Sequence, residues 1–148
     1  MTTIPTKMTH DKAEIPSQAH ESDAGYDLTI VRLEKIVKVG IKEFYYFGTG
    51  LKLTNTPEPY YFEIHERSSM HKKGWSLANK TGIIDTGYQG EIFIVLENTL
   101  GAPNPLPIGQ KLVQLIPRIK APKLEFVVKH VDIEYSSSRA DGGFGSTD

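Results

Sequence analysis

Five short stretches of this sequence hold residue types that can act together on a phosphorylated substrate. Asp27 lies in Ala24-Gly25-Tyr26-Asp27-Leu28, and Asp85 lies in Thr81-Gly82-Ile83-Ile84-Asp85-Thr86-Gly87-Tyr88. An ordinary carboxylate is ionised at neutral pH, so each can take a proton from water or help to hold a divalent cation. Arg67 is followed by Ser68 and Ser69, and a second arginine, Arg139, sits in the C-terminal stretch. A guanidinium keeps its charge and presents a planar fork of donors that suits phosphate oxygens. The fourth stretch is Gly109-Gln110-Lys111-Leu112-Val113-Gln114-Leu115-Ile116, and the last runs from Ser136 to Asp148 with one aromatic, Phe144, among glycines. A ring to stack on, a cation for phosphate and glycines that let backbone N–H groups approach oxygen are what a flap needs. Taken singly, each stretch has an ordinary reading: a turn aspartate, a solvated loop, a hairpin turn, a frayed terminus.

These residues need a scaffold, and the totals bound it. The chain has 148 residues, 39% of them hydrophobic and 24% charged, which fits one globular domain with a core of its own. The net charge of −1 gives no strong field for polyanions, so a general nucleic-acid binder is not expected, and any anion site must be built locally. There is no cysteine, which removes disulfides, zinc–thiolate sites and thiol nucleophiles. The five histidines (His10, His20, His65, His71 and His130) have no metal-like spacing. The N-terminus lacks the apolar centre of a signal peptide, and no apolar run reaches the ~20 residues that cross a bilayer. The expectation is a soluble intracellular protein that does not engage a membrane.

Short β-like runs dominate. Tyr26–Leu33, Lys35–Val39, Phe44–Phe47, Gly50–Thr54, Tyr60–Ile64, Glu91–Glu97, Lys111–Ile119 and Glu125–Ile133 are rich in β-branched and aromatic residues and bounded by Gly, Pro, Asn or Ser. Leu51-Lys52-Leu53 and Val113-Gln114-Leu115 alternate with period two. One or two helical turns are predicted over Ser68–Trp75, which opens on an N-cap residue and places Gly74 after two lysines. Residues 1–20 read as an extension or an edge strand, and Trp75 as a core or interface residue. The pattern predicts an all-β sandwich or barrel, with a jelly-roll as one form. Residues 1–135 would form the domain and 136–148 a glycine-rich arm.

In their order and spacing, the five stretches resemble the five motifs of the homotrimeric dUTP pyrophosphatase (dUTPase) family, from about Ala24 to Thr147. The resemblance implies a distorted jelly-roll β-barrel with one short helix and a flexible C-terminal arm. It implies hydrolysis of dUTP to dUMP and pyrophosphate, which limits uracil in DNA and supplies dUMP for dTMP synthesis. Asp27 would hold Mg2+ through water. Arg67, Ser68 and Ser69 would bind phosphate oxygens, with Gln114 on the phosphate side of the site. Asn79, Gly82 and Ile84 would belong to a hairpin that reads uracil, and Tyr88 would lie under the sugar and leave no room for a 2′-hydroxyl. Asp85 would activate the water that attacks the α-phosphate. In the arm, Arg139 would bind the γ-phosphate, Phe144 would stack on uracil, and Gly145, Ser146 and Thr147 would wrap the terminal phosphates. The arm departs from the family pattern at Ala140, where glycine is common, and Asp148 adds negative charge near the phosphates, so weaker or retuned closure is expected.

The resemblance also implies a homotrimer whose three subunits share each site. Two other readings remain open at this point. A dCTP deaminase of the same fold would follow Arg-Ser-Ser with a residue and then Ala-Arg, but Met70-His71-Lys72 follows here. Glu97 also comes two residues too late for the deaminase acid. A nucleotide-binding regulatory homologue that does not hydrolyse would have no need for both carboxylates and both arginines.

Overall fold

Strand β8, Glu91–Asn98, shows how the sequence makes the fold. Ile92, Ile94 and Leu96 are fully buried while the residues between them are only half-buried, the alternation of a strand with one face on a core. A computed structural model describes residues 1–130, and over them nine antiparallel strands and one turn of 3-10 helix form two packed sheets. The first sheet contains β1 (Thr6–Met8), β3 (Arg32–Val39), β4 (Lys42–Leu53), β6 (Trp75–Leu77) and β8. Its order is β1-β4-β8-β6, with β3 beside the first half of β4 and β1 beside the second. The second sheet, in the order β2-β9-β5-β7, contains β2 (Tyr26–Leu28), β5 (Tyr60–Glu66), β7 (Gly82–Ile84) and β9 (Val113–Ile119). The chain changes sheet at almost every connection, which is the wrap of a jelly-roll and agrees with the expected fold.

Between the sheets lies one apolar core. Leu28, Ile64, Ile84, Val113 and Leu115 come from the second sheet, and Phe47, Leu51, Ile92, Ile94 and Leu96 from the first. Trp75 is 2% exposed and packs edge-on against Tyr45 at 5.1 Å and Phe47 at 5.9 Å. It is a core residue, as its sequence context suggested.

The strand expectations need three corrections, and the expected N-terminal edge strand is present. Tyr26–Leu33 is not one strand: Thr29, Ile30 and Val31 carry the chain from β2 in one sheet to β3 in the other. Phe44–Phe47 and Gly50–Thr54 are one strand, β4, with a bulge where the register shifts between Gly48 and Lys52. Gly50 takes φ +68 there, and the Thr49 hydroxyl donates to the Ile92 carbonyl at 2.7 Å in place of a ladder bond. Thr6–Met8 pairs with Leu51–Leu53, so the N-terminal segment does supply an edge strand. Within Glu125–Ile133, residues 125–130 are exposed and carry no strand, and the remainder lies outside the described residues.

The short helix, Met70–Lys73, falls where a turn was expected. Ser69 is its N-cap and Gly74 closes it at φ +73, while Met70 is fully buried and pins it to the core. No helix among the described residues is long and apolar enough to cross a membrane. Truncating one central residue tests the shared core. Ile94→Ala should lower unfolding free energy by about 2–5 kcal/mol in a denaturant titration, with fold and slope retained. A loss under about 1 kcal/mol would place Ile94 outside a close-packed core.

Candidate active site

Three of the five stretches meet at one end of the second sheet. The central strand β9 pairs with β2 so that Asp27 faces Gln114, and with β5 so that His65 faces Gln114 from the other side. Arg67 leaves β5 just beyond this row. Its backbone N–H donates to the Leu112 carbonyl at 3.0 Å, its Nη1 donates to the Lys111 carbonyl at 2.7 Å, and its Nε lies 3.1 Å from Asp27 Oδ1. The guanidinium is thus held from two sides, with Nη2 left to offer to an anion. Asp27 keeps Oδ2 for other work, with 18% of its side chain exposed. Gln114 Nε2 donates to the Glu66 carbonyl at 3.1 Å. Ser68 and Ser69 are exposed at the start of the helical turn, and Ser69 makes no side-chain capping bond.

The third stretch runs along the same sheet to the opposite end. A tight turn joins β6 to β7, with Lys80 at φ +64 and the Thr81 N–H donating to the Asn79 carbonyl. Asn79 is exposed and its Nδ2 leans over Gly82, where an added Cβ would lie 3.4 Å away. Ile84 is 8% exposed and part of the core, so any substrate contact it makes is through its backbone. Asp85 follows directly and is exposed. The next residue, Thr86, donates its hydroxyl to the Tyr60 carbonyl at 2.7 Å, and the Tyr88 N–H closes a turn on the Asp85 carbonyl at 3.0 Å. Asp85 lines a polar cleft of about 440 Å³ with Thr56, Glu58 and Lys120. The Lys120 ammonium is taken by Glu58 at 2.7 Å.

Register fixes how far apart these two ends are. Phe62 pairs with Ile84, so Asp85 lies level with Tyr61, six residues before Arg67 on the same side of the sheet. At ~3.3 Å per residue, Asp85 and Arg67 are about 20 Å apart along a rigid strand. The fold therefore brings Asp27, Arg67, Ser68, Ser69 and Gln114 together and places Asp85 and Tyr88 elsewhere in the same chain. Arg139, Phe144, Gly145, Ser146 and Thr147 lie outside the described residues. Glu97, the acid of the deaminase alternative, sits on β8 with Lys42 Nζ at 3.4 Å, away from both ends.

Several supporting groups escape a reading of side-chain types. Lys111 and Glu66 act through carbonyl oxygens, which any residue would supply. Gly25 left a signal in its position two residues before Asp27. A Cβ there would lie 2.3 Å from Gln114 Oε1 and 3.2 Å from Gln114 Cβ. Gly25→Ala should displace Gln114 and lower kcat/KM for the nucleotide substrate about tenfold or more, in excess of any fall in Tm. Unchanged kcat/KM in steady-state assays would remove Gln114 from the site.

Comparisons with known proteins identify the family. The model of the dUTPase family matches residues 11–148. The deoxyuridine 5′-triphosphate nucleotidohydrolase of Clostridium acetobutylicum is 37% identical over 148 residues, covering 99% of this chain and 97% of that protein. The enzyme of the same name from Neisseria meningitidis serogroup C is 34% identical over 134 residues, covering 90% and 87%. Among solved structures, the dUTPase of Staphylococcus bacteriophage 80alpha with dUPNHPP has a TM-score of 0.77 at 23% identity, covering 100% of this chain and 99% of that one. A variant dUTPase of S. aureus phage phi11, described with a structural Mg(II) ion, has a TM-score of 0.69 at 23% identity, covering 88% and 100%. The structures speak for the fold; the family match and the sequence identities speak for descent. This chain belongs to the dUTPase family.

Proposed function

We propose that this protein hydrolyses dUTP to dUMP and pyrophosphate, in sites shared between three copies of the chain. Family membership supports the reaction. One observation carries the sharing: Asp85 and Arg67 stand about 20 Å apart on one strand ladder, too far to act on one triphosphate from a single chain. A cyclic assembly that sets the Asp85 end of one chain against the Arg67 end of the next completes every site at once. Ile83 is 52% exposed on the face between the two ends, and Leu124, Phe126 and Val128 beyond β9 are 68%, 93% and 82% exposed in the isolated chain. Such apolar surface suits contact between copies.

Asp85 takes the proton as a water oxygen attacks the α-phosphorus, and the bond from that phosphorus to the bridging oxygen breaks, releasing pyrophosphate. Arg67, with the Ser68 and Ser69 groups beside it, meets the negative charge of the phosphates. Gln114, fixed between Glu66 and Gly25, orients the groups around the phosphate. Backbone groups of the segment Asn79–Ile84 read the uracil edge and reject cytosine by leaving polar groups unpaired. Tyr88 excludes a ribose 2′-hydroxyl. Arg139, Phe144, Gly145, Ser146 and Thr147 close over the bound nucleotide as an arm formed by residues 136–148.

The donor set at Asp27 fits Mg2+. Among the described residues there is no cluster of three acidic or histidine ligands, and Asp27 offers one carboxylate oxygen not engaged by Arg67. That is the pattern for an ion held mainly by water and phosphate oxygens. When bound there, Mg2+ would neutralise charge on the phosphates and on the pyrophosphate leaving group.

Pyrophosphate release measured with dUTP, dTTP, dCTP and UTP should be confined to dUTP. Ammonia release from dCTP would instead establish the deaminase reading. Asp85→Asn should lose turnover by at least about 100-fold while still binding dUTP. Arg67→Gln should also be nearly inactive. If copies share sites, refolding the two inactive variants together at equal amounts should restore about a quarter of the parent activity. No recovery in a mixture that forms mixed assemblies would refute sharing.

A further inference from the structure

The segment from Asp85 to Gly90 crosses from one sheet to the other, since β7 belongs to the second and β8 to the first. It is tied at each end. On the second sheet, the Thr86 hydroxyl holds it to Tyr60. On the first sheet, the Tyr88 hydroxyl donates to the Glu91 carbonyl at 2.8 Å, and the Tyr88 ring lies against Gly90, where a Cβ would be 2.5 Å from the hydroxyl oxygen. Tyr88 therefore takes its position from the first residue of β8.

Glu91 is itself clamped. Its Oε2 lies 2.8 Å from Arg32 Nη2 and its side chain is only 10% exposed, while Oε1 accepts from the Thr9 hydroxyl at 3.1 Å. Arg32 reaches it from β3 by crossing β4 directly over Gly48. A Cβ at Gly48 would sit 1.7 Å from Arg32 Nη1 and 2.7 Å from Glu91 Oε2. The guanidinium also stacks over the Phe93 ring at 5.4 Å and meets Glu34 at 3.2 Å. The bulge in β4 lies beside this contact: Gly48 pairs with Phe93 and Lys52 with Glu91, and the register shifts between them. The ion pair adds a side-chain tie across the bulged part of β4, beside the backbone pairing of Glu91 with Lys52. A mostly buried carboxylate stripped of its cation is destabilised, and this one would be left with the Thr9 hydroxyl alone on its side chain.

We propose that Arg32 and Glu91 are positioning residues for Tyr88, and through it set the discrimination between deoxyribose and ribose. The proposal rests on the reading that Tyr88 excludes the 2′-hydroxyl. Neither residue touches the nucleotide. Their effect is to hold the Tyr88 ring at the height at which a 2′-hydroxyl collides. Asp85 has a separate anchor at Tyr60, so the two ends of the segment respond differently when the clamp is cut.

The test is the ratio of kcat/KM for dUTP to that for UTP in the parent, Arg32→Gln, Tyr88→Phe and the double variant. Arg32→Gln should lower the ratio about tenfold, through a higher KM for dUTP and a gain on UTP, with kcat for dUTP kept within a few-fold. Because both changes act on the same ring, the double variant should be no less selective than the weaker single variant. A ratio within twofold of the parent, or effects that multiply, would show that the clamp serves stability alone. Arg32→Lys keeps the buried charge paired but loses the fork. Should only that variant fold, a ratio lowered threefold or more upholds the proposal and a parent-like ratio overturns it. A parent that releases no pyrophosphate from dUTP defeats the functional reading and this proposal together. An active parent with an unmoved ratio in the variants defeats this proposal alone.

Discussion

The stiffness of β5 governs the rest of this structure. Its seven residues are paired along their length with β9 on one side and, around Phe62–Ile64, with β7 on the other. An antiparallel ladder bonded on both sides does not fold back on itself. The carboxylate at one end and the arginine at the other are therefore held apart, and no side-chain rotation closes a gap of about 20 Å. The second sheet works as a spacer between two different groups of polar residues, each built by local means: a row of paired strands at one end and a crossing segment at the other.

The charges at the Arg67 end are arranged with the same economy. Asp27 and Arg67 hold each other at 3.1 Å, so this end carries little net charge before a ligand arrives. Both side chains are partly exposed, where an ion pair by itself contributes little stability. Its value lies in pre-ordering. The guanidinium is already held, with Nη1 fixed on the Lys111 carbonyl, so the proposed binding of phosphate there would cost less side-chain freedom.

Much of this was legible in the sequence, and the misses have physical causes. Strand β8 reads cleanly because its alternation matches a half-buried sheet, and Asp27, Asp85 and Arg67 stand out because their chemistry resides in the side chain. The break between β2 and β3 does not read, because Thr29, Ile30 and Val31 are β-branched and buried whether they continue a strand or change sheets. Gly48 and Gly50 suggest a loop, yet they mark a bulge inside a continuous strand, one making way for Arg32 and the other adopting a positive φ. The strands β1, β6 and β7 are three residues each, too short for periodicity to register. Lys111 and Glu66 are hidden for a different reason: a carbonyl acceptor leaves no mark on residue identity.

The chain beyond β9 carries a consequence for the life of the protein in a cell. Leu124, Phe126 and Val128 lie bare in a single copy, in a sequence rich in β-forming residues. In a single copy they form the kind of extended apolar strip that chaperones and proteases bind. Under the proposed sharing of sites between copies, a strip covered on assembly would mark only the copies that stay single. Turnover of this protein would then depend, on that proposal, on how quickly copies find one another.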